Sequence, residues 1–254
     1  TAAAALVVAF IVLLNSVIIP SVRYNNAKNL LAEKKYAEAG KIFKKLGDYK
    51  DSEKLVNEAN VLPIADEQIE FWNNPKDISV GDIVKLGGYP QSGKMDEIEW
   101  QVLDMKDGKA LLISKRCIDN KPYNEKYENV TWETCTLRKW LNNDFMDNAF
   151  GTTLAKYISE TELKNPDNSK YNAKGGNDTA DKIFLLSIDE ANKYFSSDSD
   201  RSIHSWWWLR SPGEYQGIPA AVDCAGGVSS SVNSNFISYI RFGVRPAMWI
   251  ELSD

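Results

Sequence analysis

Apolar and polar positions divide the chain into three stretches of different period. Residues 2–14 are unbroken apolar sequence, and after Asn15-Ser16 the run resumes as Val17-Ile18-Ile19-Pro20-Ser21-Val22. About 20 apolar residues cover the hydrocarbon core of a bilayer, so 1–22 reads as a transmembrane anchor. A secretory signal peptide needs a shorter apolar core and a small-x-small cleavage site, for which Ile19-Pro20-Ser21-Val22 is a poor match. Through 23–60 the spacing becomes three and four. Ala27, Leu30 and Leu31, then Ala37, Ala39, Ile42, Phe43 and Leu46, form apolar stripes on helices. Gly47 is placed to end one helix, and Asp51 or Ser52 to cap the next. Val61-Leu62-Pro63 and Asn73-Asn74-Pro75 read as breaks, with a short amphipathic piece at 65–72 between them.

After Pro75 the period falls to two. Residues 83–86 predict a strand, and 98–103 and 110–114 predict two more flanking Lys106-Asp107-Gly108-Lys109, where Asp-Gly is a strong hairpin signal. Two helices interrupt the strands. In 136–145, Leu137, Trp140, Leu141 and Phe145 share a face; Ser187-Ile188-Asp189-Glu190 opens the second with a capping box. Residues 182–186 read as a buried strand just before it, and 165–181 as an Asn/Gly/Lys-rich loop. The last third predicts short strands at 206–210, 220–223, 227–232, 237–242 and 244–251. Antiparallel strands with two inserted helices indicate an α+β domain.

Composition narrows the chemistry. The 254 residues hold 26% charged and 43% hydrophobic residues, an ordinary globular mixture, with a net charge of −5. An acidic chain argues against a nucleic-acid partner, which needs a basic surface. Cys117, Cys135 and Cys224 form no C-x-x-C pair, and His204 is the single histidine, so no zinc site is expected. Three free thiols are expected, with Cys117–Cys135 the alternative as a disulfide. His204 stands near Ser202 and Ser205, but no Gly-x-Ser-x-Gly elbow accompanies it.

The C-terminal part combines frame and display. Trp206-Trp207-Trp208-Leu209-Arg210-Ser211-Pro212-Gly213 and Phe242-Gly243-Val244-Arg245-Pro246-Ala247 are bulky, with prolines and arginines; residues 214–241 between them are rich in Ser, Asn, Tyr and Gly. Arg210 and Arg245 read as buried residues that hold carboxylates or carbonyls and brace loops. In a strand, Trp206 and Trp208 share one face and Trp207 takes the other, with core use expected for most of them. Adaptable polar and aromatic positions on a rigid frame are how a binding surface is built. The candidate ligand-binding residues are Trp206, Tyr215, Gln216, Ser229, Ser231, Asn233, Asn235, Phe236, Ser238, Tyr239 and Arg241.

The motifs Val130-Thr131-Trp132-Glu133-Thr134-Cys135-Thr136-Leu137-Arg138-Lys139-Trp140-Leu141-Asn142, Phe184-Leu185-Leu186-Ser187, Trp207-Trp208-Leu209-Arg210-Ser211-Pro212-Gly213 and Gly243-Val244-Arg245-Pro246-Ala247 resemble an uncharacterised bacterial surface domain. That domain is similar to the C-type-lectin-like fold, in the branch shared with formylglycine-generating enzymes and with the variable proteins diversified by retroelements. The resemblance covers about 75–252 and implies paired chain ends, two helices on one side, and a late sheet that displays ligand contacts, here 214–241. Formylglycine-generating enzymes use two late cysteines with copper, and here only Cys224 lies in that region. Calcium-dependent lectins use Glu-Pro-Asn-like and Trp-Asn-Asp triplets, neither of which occurs. The oxygen-rich loops 177–181 and 198–200 read as solvated loops. Residues 36–52 resemble one tetratricopeptide-like hairpin, and a lone unit of that kind reads as a stalk, since arrays need about three repeats.

The expectation is therefore an anchor at 1–22, a helical stalk at 23–74, and a C-type-lectin-like α+β domain at 75–254. The expected function is non-catalytic binding of a protein or glycan at the cell surface, with no cofactor. The C-terminal domain is expected outside the membrane, and the binding surface is open to retroelement diversification. The alternatives are an enzyme on a formylglycine-generating scaffold and a cell-envelope protein that docks through its hairpin.

Overall fold

The computed structural model describes residues 2–75, 77–91, 94–126, 128–231 and 242–252. Helix α1 (Ala2–Leu13) continues through a π turn at Leu14–Ile18 into α2 (Ile19–Ala32). Asn15 and Ser16 give their side-chain donors to the carbonyls of Ile11 and Val12 one turn back, so both polar groups are satisfied within the helix. Val7–Ala32 is long and apolar enough to cross a membrane. Two helices follow, α3 (Tyr36–Leu46) and α4 (Ser52–Asn73), and Gly47 ends α3 as the pattern predicts. Tyr24 and Ala27 of α2 pack on Ala39 and Phe43 of α3 in a small core of their own.

Pro63 does not break the chain: α4 runs straight through it. A proline in a helix interior costs about 3 kcal/mol, and tertiary packing offsets it. Val61, Ala65 and Trp72 of α4 are buried in the main core, so the piece at 65–72 is the end of one long helix. Glu58, also on α4 and buried, accepts the Thr152 N–H and the Thr152 and Thr153 hydroxyls. These two threonines follow Gly151, whose φ of 54° kinks α6 (Met146–Ala155). Glu58 thus caps the helical turn after the kink from a distant helix.

The main core lies between two antiparallel-dominated sheets and the helices. One sheet has the order β1-β2-β3-β11, from β1 (Ile83–Gln91), β2 (Lys94–Lys106), β3 (Lys109–Ser114) and β11 (Ala247–Glu251). The β2–β3 turn has positive φ at Asp107 (51°) and Gly108 (71°), the two-residue hairpin geometry that Asp-Gly favours. The free edge of β1 is plugged by α4: Gln68 exchanges hydrogen bonds with the Gly87 backbone and the Trp72 indole donates to the Lys85 carbonyl. The second sheet has the order β4-β10-β7-β8-β9, from β4 (Asp119–Lys121), β7 (Trp207–Pro212), β8 (Pro219–Val222), β9 (Val228–Ser229) and β10 (Phe242–Val244). The pair β5 (Thr161–Leu163) and β6 (Thr179–Asp181) stands apart. Helices α5 (Thr136–Trp140), α7 (Ile188–Tyr194) and α8 (Asp198–Arg201) complete the described elements.

Four expectations change here. The strand predicted at 244–251 is split, because Pro246 has no N–H to give a ladder; the chain leaves one sheet after Val244 and enters the other at Ala247. Residues 182–186 make a single bridge, Phe184 to Ala247. Their backbone groups are otherwise taken mainly by side chains: the Asn142 amide serves Lys182 and Ile183, and Arg210 takes the Leu185 carbonyl. The last strand joins the sheet of the first three but pairs with β3, not with β1. The helix predicted at 136–145 passes through a π turn, Leu141–Phe145, and continues as α6. The mixed α+β class stands, with an apolar N-terminal helix and a helical hairpin before it.

Candidate ligand-binding surface

The frame residues behave as their chemistry demands. Arg210 is buried and forks onto Glu190, with one bond of 2.8 Å, while also donating to the Leu185 carbonyl. Glu190 is the capping-box residue of α7 and accepts the Ser187 N–H. One ion pair therefore fastens β7 to the start of α7. Arg245 is buried without a carboxylate partner among the described residues. It donates to the carbonyls of Ser114 and Arg201 and lies between the rings of Phe195 and Trp207, 5.2 and 5.1 Å from their centres. Burial pulls its guanidinium down to about 10, so it stays charged at neutral pH and the two aromatic faces supply part of its stabilisation.

Trp207 and Trp208 are both fully buried. Trp208 packs on Phe242 at 4.5 Å, and Trp206 stacks on the same ring at 5.0 Å. Trp206 and Trp208 thus share a face and Trp207 takes the other, as strand alternation predicts. Trp206 precedes β7 and is half-buried.

From Trp206 a band of half-exposed side chains runs across the edge strand β4. Phe242 pairs with Lys121 in the ladder, and the Trp208 indole donates to the Lys121 carbonyl. The Lys121 ammonium sits 4.5 Å above the Trp140 ring and 3.4 Å from Asp119. Trp140 meets Tyr89 edge-on at 6.2 Å, and the Tyr89 hydroxyl donates to Asp119 over 3.1 Å. Burial, then the Asp119 charge, push the Tyr89 phenol above its ordinary range, so it remains a donor. The band combines ring faces with a carboxylate and an ammonium; Asn120, between them in β4, faces the other side of the sheet. It draws on β1, β4, α5, the residue before β7, and β10. Sequence reasoning missed Tyr89, Asp119, Lys121 and Trp140 because no shared period links them; only the half-exposure of Trp140 on an otherwise buried helix face marks it.

The remaining candidates occupy a different place. Tyr215, 57% exposed, lies in the β7–β8 turn. A strand of six residues spans about 20 Å, so Trp206 and Tyr215 stand at opposite ends of β7. The Gln216 amide bonds both the N–H and the carbonyl of Lys174 and ties two loops together. The Ser230 carbonyl accepts the Glu214 N–H, which places Ser231 at the Tyr215 end; Ser229, whose hydroxyl donates to the Ser231 carbonyl, pairs with Ala221, itself opposite Trp208, and lies level with Trp208 two strands away. Asn233, Asn235, Phe236, Ser238, Tyr239 and Arg241 lie outside the described residues. A separate groove of about 690 Å³ opens between the end of α4 and β1–β2, with Glu67, Phe71, Asp82, Ile83, Glu97 and Glu99 in its walls.

Of the three thiols, only Cys224 is exposed. Cys117, Cys135 and Cys224 are free thiols. Ser202 donates to the Cys224 carbonyl and accepts the His204 N–H, so that cluster builds a turn. Asp178, Asp181 and Asp198 of the oxygen-rich loops pair with Lys164, Arg138 and Arg201. Among the described residues, no group of three His, Cys, Asp or Glu is placed to hold a metal ion.

No curated protein matches the chain, and neither does any solved structure. Residues 107–252, more than half of the chain and inclusive of Asp119, Lys121, Trp140, Trp206 and Phe242, match a domain of unknown function (DUF6273), and the chain belongs to that family.

Proposed function

We propose that this chain is a membrane-anchored, externally displayed binding protein on a C-type-lectin-like scaffold, and that it holds a glycan without transforming it. The observation that carries the reading is the band from Tyr89 to Trp206. Its ring faces are half-exposed while the neighbouring tryptophans are sealed in the core. Sugar rings present apolar C–H faces and hydroxyls together, which such a platform matches by stacking, by hydrogen bonds accepted by Asp119 and by hydrogen bonds donated by Lys121.

Binding without turnover agrees with the state of the thiols. Burial pushes Cys117 to about 11 and Cys135 to about 12, so neither is a thiolate nucleophile at neutral pH. The test is a glycan array probed with the full chain in lipid nanodiscs. Trp206→Ala and Trp140→Ala are each expected to lower retention at least tenfold while thermal unfolding stays cooperative. Retention that survives both substitutions, retention of proteins but no glycans, or conversion of a held glycan would overturn the reading.

A further inference from the structure

The helical hairpin carries a charge pattern opposite to that of the rest of the chain. Residues 23–54 hold nine Lys or Arg against five Asp or Glu, whereas residues 55–254 hold twenty-one against thirty. The fold gathers much of this positive charge at one level. Helix α2 leaves the apolar stretch at Val22, and α3 returns antiparallel beside it. The turn after α3 therefore lies next to the start of the hairpin. The Tyr24 hydroxyl donates to Asp51 over 2.7 Å, the Tyr49 ring lies 6.0 Å away, and the Lys50 ammonium sits 4.5 Å over the Tyr24 ring. Tyr24 is two residues past Val22, about 3 Å along a helix.

Arg23, Lys28, Lys44, Lys45, Lys50 and Lys54 thus form a collar around the point where the apolar helix ends. All six are exposed, and none is in an ion pair among the described residues. Lys44 and Lys45 suit the C-terminal end of α3, where the helix dipole favours cations. Lys54 lies in the first turn of α4 beside the acidic Asp51 and Glu53.

Resting on the reading that the apolar helix spans a bilayer, we propose that this collar lies on the headgroups of anionic lipids and sets the hairpin against the membrane surface. Lipid is the occupant because the collar is continuous with the span and lies within about one Debye length, ~8 Å, of where the headgroups must be. Arg23, Lys28 and Lys50 are exposed cations of the kind that anionic headgroups attract.

The test uses the full chain in nanodiscs, spin-labelled at Asp48→Cys in a Cys224→Ser background. Discs are made of phosphatidylcholine alone or with one third phosphatidylglycerol, each doped with a nickel-chelating lipid. In anionic discs at low salt, relaxation of the label by headgroup nickel is expected to rise several-fold over the neutral discs. High salt, or Arg23→Gln with Lys28→Gln and Lys50→Gln, should remove the rise. Equal relaxation in both lipids from a chain that stays disc-bound would overturn the collar proposal. So would a rise abolished by soluble polyphosphate but indifferent to lipid charge. A chain that fails to stay in either disc would instead overturn the spanning helix beneath it.

Discussion

Single side chains in this protein are legible where their partners are backbone groups or one strong charge. Arg210 and Arg245 were expected to hold carboxylates or carbonyls, and they do, because a buried guanidinium has few other ways to satisfy its donors. The thiols show the opposite side of burial. Against an ordinary value of 9.0, burial raises Cys117 to about 11 and Cys135 to about 12, and the buried Tyr123 phenol is also raised. A group that keeps its proton more tightly when folded adds stability in full below its unfolded pKa. That contribution is lost as pH rises through the folded value. Thermal stability is therefore expected to fall from about pH 9 upward through this term. In parallel, an alkylating reagent at neutral pH should modify exposed Cys224 quickly and leave Cys135 untouched until the chain unfolds. Rapid native-state labelling of Cys135 would contradict its burial.

Among the elements, the β2–β3 hairpin, the capped start of α7 and the paired helices α3 and α4 follow from local rules of turn chemistry, capping and period. The failures are equally physical. Pro63 was read as a break because its local cost is real, yet α4 is held on one side by α3 and on the other by α6 and β1. Residues 182–186 have a strand's composition, but Asn142 and Arg210 reach their backbone groups first. The plug on β1 invites a direct check. Gln68→Ala leaves the Gly87 N–H without its 2.7 Å partner, an unmade buried bond of about 1–3 kcal/mol. A matching drop in the urea midpoint is expected, together with concentration-dependent association as the strand edge is freed. An unchanged midpoint would show that the amide contributes nothing there.

The assembled chain joins an apolar helix to the sheets through contacts that leave little slack. Tyr24 binds Asp51 beside the start of the hairpin, and Glu58, about two turns further along α4, caps the turn after Gly151. The hairpin is thus packed against the domain that it carries. The apolar helix itself is expected to keep the full chain in the membrane pellet under alkaline carbonate extraction. Release into the supernatant under those conditions would show that the helix does not span.

What could be read from residues alone was what neighbours in sequence settle: an apolar run of membrane length, helical stripes, an Asp-Gly hairpin, a capping box, two bracing arginines, and the alternation of the tryptophans. Each is an interaction within a few positions, or a burial preference that one residue type carries by itself. The aromatic band, the lysine collar and the plugged strand edge needed the folded chain. Their members lie far apart, no period connects them, and they meet only because β10 crosses to β4 and α3 turns back toward the apolar helix. Proximity of that kind is a consequence of packing, and packing is set by every contact in the core at once.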